Sequence, residues 1–358
     1  MPREVEQAKE RHILIVRTDR IGDVVLSLPM VEALHAWDGA VSVSFLVRTY
    51  TRELVEGAPG VAGVLNSDTG DTAKPFWTLV RELRLARFDV AVIASPTLRT
   101  ALAVRFAGIR VRVGTGYRWY SSLFNRRVYE HRKTALKHEA QFNVSLLGAL
   151  GVPVPPSPKP VLTIPGSARE AALALRRAKG FAPSDRLVVL HPGSGGSARD
   201  WKAENFGRLA RHLAAAGAAV LVTGGRGEEP LVERVCAAAQ MPLETSVGKL
   251  GLMTLAALLE SASLFVSNST GPLHIASAVG TPVIAFYPPI IQCSPRRWGP
   301  LAERKVVFEA DAGRCPRCQG GPCQGDDCME QITVEEVTEA ARSLLGTDLQ
   351  RRPEVLAQ

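Results

Sequence analysis

The sequence predicts an α/β protein built from two doubly wound parallel sheets, and three observations predict it. Short apolar runs alternate with stretches of helical periodicity, the pattern of strands buried on both faces between covering helices. The alternation stops once, at GVPVPPSPKPVLTIP (151–165), where six prolines withhold N–H donors and favour extended backbone. It then restarts in the same form. At 358 residues the chain is long enough for two domains. The expected organisation is a first domain over 1–150, a proline-rich linker over 151–165, a second domain over 166–346 and a tail over 347–358.

The first half opens with Ile13, Leu14, Ile15 and Val16, a buried strand, followed by the polar turn RTDRIGD. Val24, Val25, Leu28, Val31, Leu34 and Trp37 then recur at helical spacing, with Asp23 where that helix should begin. VSVSFLV (41–47) and VAGVLN (61–66) read as strands, with TRELVEGA as a short helix between them. FWTLVRELRLAR (76–87) is helical, FDVAVIAS (88–95) a strand, LRTALAVRFAGI helical, and RVGTG (112–116) ends another strand. A basic, aromatic loop follows, then KHEAQFNVSLLGALG, a helix closed by Gly151. In the second half RLVVLHPG (186–193), AAVLVTGG, SLFVSN and TPVIAFY are strands. AENFGRLARHLAAAG, RGEEPLVERVCAAAQ, GPLHIASAVG and TVEEVTEAARSLL are helices.

An apolar fraction of 46% and mean hydropathy near zero describe a globular chain with a sizeable core. No apolar run approaches the ~18–20 residues of a membrane span, and MPREVEQAKERH lacks the apolar core of a signal peptide. A cytoplasmic protein is expected. The net charge of +8 is uneven, with 22 Lys and Arg against 15 Asp and Glu in residues 1–160 and 21 against 20 in the remainder. Between Arg99 and Lys137 there are ten basic residues and one acid, interleaved with Tyr117, Trp119, Tyr120 and Phe124. A solvated face would explain scattered charges; this density points to a surface for a polyanion. No helix-turn-helix, zinc-finger or RNA-recognition motif is present, so nucleic acid is not the expected partner.

Several stretches could carry chemistry. Asp23 is either a helix cap or a carboxylate held at the mouth of a βα turn, where open α/β sheets place ligands. HPGSGGSARDW (191–201), with Ser194 and Arg199, puts small residues between strand and helix and turns backbone N–H groups toward an anion. It lacks the Gly-Lys-Ser/Thr ending of a Walker loop. Glu228, in TGGRGEEP, is either an acceptor of ribose hydroxyls or an acidic helix start. Ser269, Thr270, Gly271 and His274 lie where SNSTGPLHIASAVG begins its helix, with hydroxyls and N–H groups suited to phosphate oxygens. Cys315, Cys318, Cys323 and Cys328 are spaced C-x2-C-x4-C-x4-C, open to a structural zinc or to plain thiols. Plain thiols are favoured, and no metal or other cofactor is expected in the active site.

Three blocks, ILIVRTDRIGDVVLSLPMVEAL, HPGSGGSARDWK and SNSTGPLHIASAVGTP, resemble in order the ADP-heptose:lipopolysaccharide heptosyltransferases, glycosyltransferase family 9. The resemblance implies a GT-B fold, two Rossmann-like domains facing across a cleft. It implies an inverting transfer of heptose from ADP-heptose to the inner core of lipopolysaccharide. Asp23 matches the family's proposed base, and Arg199 stands where the family has a phosphate-binding lysine. Glu228 matches a glutamate associated with the donor nucleotide, and Ser194, Ser269, Thr270, Gly271 and His274 complete the donor side. Ser269 departs from the family's Asp. Arg126, Arg127, Arg132 and Lys133 are the expected contacts to a lipid A-linked core oligosaccharide at the anionic inner face of the inner membrane. The rival readings are a family member with another nucleotide sugar or acceptor, and a non-catalytic sugar-nucleotide-binding protein.

Overall fold

The computed structural model describes residues 10–70, 72–196, 199–311 and 328–346. The chain forms two compact units. One comprises residues up to Arg132 together with Glu139–Thr163; the other comprises Lys133–His138 and everything from Ile164 onward.

The first unit runs β1 (Arg11–Val16), α1 (Ile21–Val25), α2 (Pro29–Trp37), β2 (Val41–Val47), β3 (Val61–Asn66) and a small antiparallel ribbon, β4 (Asp68–Thr69) and β5 (Thr72–Ala73). It continues through α3 (Phe76–Leu85), β6 (Val90–Ile93), α4 (Leu98–Phe106), β7 (Val111–Thr115), β8 (Arg126–Val128) and α5 (Glu139–Ser145). Its sheet is parallel, in the order β3-β2-β1-β6-β7-β8. Chain order reverses between β1 and β6, so the loops leaving those two strands open a crevice at their carboxyl ends. Ile13, Leu14, Ile15 and Val16 are fully buried, as an unbroken apolar strand requires.

The single helix expected after Asp23 is two. α1 starts at Ile21 with Arg20 as its cap residue, so Asp23 lies within the first turn. The chain breaks at Leu26–Leu28, and Pro29 opens α2, where its missing N–H costs nothing. The Asn143 amide donates to the Leu26 carbonyl at 2.9 Å and satisfies a group the break leaves without a helical partner. The expected helix at TRELVEGA is a 3-10 segment, Thr49–Leu54. KHEAQFNVSLLGALG splits into α5 and a 3-10 turn, Leu146–Leu150, closed by Gly151 at φ 83°. The basic loop carries β8, the edge strand.

The second unit contains α6 (Gly166–Ala178), β9 (Leu187–His191), α7 (Ala203–Ala215), β10 (Ala219–Gly224), α8 (Glu229–Ala239), β11 (Glu244–Val247) and α9 (Leu252–Glu260). After these come β12 (Leu264–Asn268), α10 (Gly271–Ala278), β13 (Val283–Tyr287), α11 (Pro295–Trp298), β14 (Lys305–Glu309) and α12 (Val334–Leu345). The sheet is again parallel, β11-β10-β9-β12-β13-β14, and reverses between β9 and β12. A core of Leu190, Phe206, Leu209, Val266, Phe286 and Met329 fills one face, with Trp201 stacked on Phe286 at 4.4 Å. Each such side chain contributes about 1.5–3 kcal/mol on full burial. α7 and α8 close tightly because Gly207 has no side chain: a Cβ there would stand 2.4 Å from the Val235 carbonyl oxygen.

Cys328 is buried in this second core. Cys315, Cys318 and Cys323 lie outside the described residues, so the cysteine loop stands only as an expectation. Among the described residues no helix is long and apolar enough to cross a membrane.

Candidate active site

At the carboxyl end of β1 the chain turns sharply and buries an arginine. The Arg17 N–H donates to the Leu46 carbonyl at 2.9 Å, tying the turn to β2, while Ala94 N–H after β6 donates to the Val16 carbonyl at 3.1 Å. The Arg17 guanidinium is only 1% exposed, and both of its terminal nitrogens donate hydrogen bonds. Nη1 donates to the Ala94 carbonyl at 3.0 Å and to Asn143 Oδ1 at 3.3 Å. Nη2 donates to Asp23 Oδ1 and to Glu139 Oε1, the latter at 3.1 Å. Nε lies 3.0 Å from Asp19 Oδ1. Burial alone would disfavour the guanidinium's charge, but Asp19, Asp23 and Glu139 outweigh it and hold Arg17 above its ordinary pKa. Burial pushes the Asp19 carboxyl up to about 6 against the pull of Arg17.

Asp23 therefore sits at the reversal point of the first sheet, its carboxylate 16% exposed. Arg17 holds Oδ1, and among the described residues Oδ2 has no hydrogen-bond partner. That geometry suits a carboxylate that must accept a proton from a bound hydroxyl.

The second unit gathers its polar groups at the carboxyl ends of β9, β10 and β12. His191 ends β9, is buried, and has Nδ1 3.0 Å from Thr223 Oγ1 and Nε2 3.8 Å from Glu228 Oε2. Burial lowers the His191 pKa, against the opposite pull of Glu228. Glu228 accepts the Gly225 N–H at 2.7 Å and packs so close to Gly193 that a Cβ there would lie 2.0 Å from its Oε1. Asp200 lies beside Ser194, and burial, with Glu228 also near, pushes its carboxyl up to about 6. Asn268 clamps the loop: its Oδ1 accepts the Trp201 N–H at 2.7 Å and its amide donates to the Pro192 carbonyl at 2.7 Å. The next residue, Ser269, is buried and hydrogen-bonded to Tyr287, whose hydroxyl burial drives up in pKa. Thr270 caps α10 by its backbone, without spending its side chain on the helix. His274 is 3% exposed, its ring 6.3 Å from that of Trp298.

Ser194, Glu228, Ser269, Thr270, Gly271 and His274 thus share one end of one sheet. Arg199, partly buried, lies in the same β9–α7 loop. The expected acceptor set is not brought together. Arg132 is turned inward onto Glu139, with Asn143 at 3.3 Å, and belongs to the Asp23 network. Arg126 and Arg127 are exposed on the edge strand β8. Arg126 lines a cavity of about 640 Å³ with Arg11, Trp37, Asp89 and Arg110, at the amino ends of β1, β6 and β7. That is the end of the sheet opposite Asp23. Lys133 and Lys137 group with the second unit, which corrects the expectation that all ten basic residues lie in the first. Arg99 and Arg112 are tied to backbone carbonyls, Arg99 to that of Lys74 and Arg112 to that of Leu123 at 2.8 Å.

The model of glycosyltransferase family 9 (heptosyltransferase) matches residues 76–327. The chain belongs to glycosyltransferase family 9. This family 9 glycosyltransferase is 29% identical, over 84% of its length and 90% of the relative's, to a Haemophilus influenzae protein named no more closely than as a glycosyltransferase. It is 26% identical to lipopolysaccharide heptosyltransferase 3 of Escherichia coli, over 74% of this chain and 80% of that one. Its fold matches that of the E. coli ADP-heptose lipopolysaccharide heptosyltransferase II with a TM-score of 0.77 at 22% identity, covering 93% of this chain and 98% of the other. The two parallel α/β sheets are those of the GT-B fold.

Sequence reasoning missed Arg17, Asp19, Glu139, His191, Asp200 and Asn268 in this glycosyltransferase. Arg17 did carry a signal, a charge directly following a fully apolar strand. Glu139 carried none, because Arg17, the partner that ties it to Asp23, is 122 residues away in sequence and meets it only in the fold.

Proposed function

We propose that the protein is an inverting glycosyltransferase that moves heptose from ADP-heptose to the inner core of lipopolysaccharide. The observation that carries this reading is Asp23, held at the reversal point of the first sheet with one carboxylate oxygen engaged. The similarity to lipopolysaccharide heptosyltransferases supports the donor and acceptor class.

In the proposed reaction the acceptor hydroxyl oxygen bonds to the anomeric carbon as the bond to the diphosphate breaks. The electron pair leaves with ADP, and Asp23 takes the hydroxyl proton. A carboxylate is a far weaker base than the alkoxide it would have to generate, so the proton moves late, as the sugar becomes cationic. Arg199 and Thr270, with the amide end of α10 behind Gly271, stabilise the departing diphosphate. Glu228 accepts hydroxyl protons of the nucleotide's ribose. No step calls on a metal.

Incubation with ADP-heptose and heptose-deficient core oligosaccharide should yield a product heavier by one heptose in the mass spectrum. Asp23→Asn should abolish that product while ADP affinity stays within about twofold, because the base touches the acceptor and not the phosphates. Unaltered turnover of Asp23→Asn overturns the assignment of the base. A second reading, transfer of a different sugar, is favoured by Ser269, a hydroxyl where the resemblance to the family implies a carboxylate. Competition among nucleotide sugars for the ADP site separates the two.

A further inference from the structure

The cavity at the amino ends of β1, β6 and β7 stands apart from the chemistry at Asp23. β1 is six residues long, so roughly 20 Å of strand separates the two. Strand register builds its floor. Ile13, Val90 and Val111 are neighbours across β1, β6 and β7, so their side chains share one face of the sheet. Trp37, which ends α2, and Leu150, which ends the 3-10 turn before Gly151, supply apolar walls. At about 640 Å³ the space falls in the range of small-molecule sites, about 300–1,000 Å³.

The polar lining is of two kinds. Arg110 and Arg126 bring guanidiniums that have no hydrogen-bond or ion-pair partner among the described residues. Nearby Arg112 is the contrast, since it donates to the Ile109, Arg110 and Leu123 carbonyls. Two like charges on one cavity repel each other, and an anion between them reverses the sign. A guanidinium fork suits phosphate oxygens, which it can hold by two parallel bonds. Arg11 is less available: Asp38 lies 3.9 Å from it, and its guanidinium stands 5.1 Å from the centre of the Trp37 ring. The second kind is acceptors. Asp89 takes the His12 N–H on Oδ2 at 3.0 Å, and its Oδ1 has no partner among the described residues. The Glu10 carboxylate also lines the cavity, 3.8 Å from His12 Nε2. These carboxylates would repel a bare anion; a ligand that carries both an anionic group and hydroxyl donors uses both sets.

We propose that this cavity binds a phosphorylated sugar, its phosphate between Arg110 and Arg126, its hydroxyls on Asp89 and Glu10, and its carbon skeleton against Trp37 and Leu150. The occupant is held and not reacted, so the inference is independent of the reading of Asp23. The same chemistry can arrive as a free sugar phosphate or as the phosphorylated headgroup of a glycolipid.

The test is isothermal titration calorimetry of the full-length protein with glucose 1-phosphate and glucose 6-phosphate, in excess ADP to fill any diphosphate site. At least one should bind saturably at one site per chain. Inorganic phosphate should bind about fivefold more weakly or worse, and glucose without measurable heat. Arg110→Ala and Arg126→Ala should each weaken the sugar phosphate about tenfold. Asp89→Asn keeps an oxygen for the His12 N–H; it should weaken the sugar phosphate several-fold while inorganic phosphate binds no worse. That split between probes is not produced by a damaged fold. Sedimentation with phosphatidylcholine vesicles containing lipid A identifies the carrier. Release by excess sugar phosphate assigns the site to a headgroup, and sedimentation unaffected by it assigns the site to the free compound. The proposal is overturned if neither sugar phosphate binds, if binding survives unchanged in both arginine variants, or if inorganic phosphate binds as tightly as the sugar phosphates.

Discussion

Two residues of the second unit make separable predictions. Asp200 has its carboxyl pushed up to about 6 by burial, so the folded chain binds that proton more tightly than the unfolded one. Its contribution is fully present below about pH 4 and is lost as pH rises through about 6. Asp200→Asn removes the buried charge and keeps the shape of the side chain. It should be more stable than the parent at pH 7.5 by about 1–2 kcal/mol, after allowance for partial exposure, with the gain gone by pH 4. Urea unfolding at both pH values measures this; a less stable variant at pH 7.5 refutes it. Gly193→Ala tests Glu228, since the added methyl would stand 2.0 Å from its carboxylate. ADP affinity should fall about tenfold or more, and combining it with Glu228→Ala should cost little beyond either change alone. Additive losses would mean that Gly193 acts on the nucleotide independently.

At the scale of elements, α12 offers a clean measurement. Thr333 and Glu336 form a reciprocal cap, with the Thr333 hydroxyl accepting the Glu336 N–H and the Glu336 carboxylate accepting the Thr333 N–H at 3.1 Å. The hydrogen bond from the Thr333 hydroxyl holds the Glu336 carboxyl below its ordinary pKa, so this contribution is present at neutral pH and lost on acidification. Val334, Val337 and Ala341 carry the helix into the second core. Thr333→Ala should cost about 1 kcal/mol at pH 7 and progressively less toward pH 3. A cost that does not change with pH would assign the effect to packing. The cap was legible as TVEE before an apolar run; the break between α1 and α2 was not. Val24 to Trp37 keeps helical spacing across the break, and only Pro29 and the distant Asn143 amide divide it.

For the whole molecule, the charge imbalance survives in altered form. Arg110, Arg118, Arg126 and Arg127 remain exposed in the first unit, as does Trp119, which is 82% exposed, whereas Arg132 meets Glu139. Neutralising those four exposed arginines should reduce sedimentation with phosphatidylglycerol vesicles. The parent's binding should weaken as salt shortens the Debye length from about 8 Å at physiological ionic strength. ADP affinity should not change. Undiminished vesicle binding by the four-fold variant would place the membrane contact elsewhere.

What the sequence determined by itself is what depends on neighbours along the chain. Apolar runs such as Ile13–Val16 and Leu187–Val189, short and rich in β-branched residues, become strands of a sheet covered on both faces, which pairs their backbone groups and buries every side chain. Gly151 ends a helical segment at positive φ because it has no Cβ. Asp23, Ser194, Glu228 and the Ser269–His274 block could be singled out because each sits in a βα turn with a recognisable local pattern. The tertiary structure alone decided which charges meet. Arg132 and Lys133 are adjacent in sequence, yet one is drawn onto buried Glu139 while the other is exposed and groups with the second unit. Arg126 reads as one of a basic run, but the register of β8 against β7 delivers it to the end of the sheet opposite Asp23. Long-range electrostatic partners are chosen by burial and strand order, and neither is written in the spacing of charges along a chain.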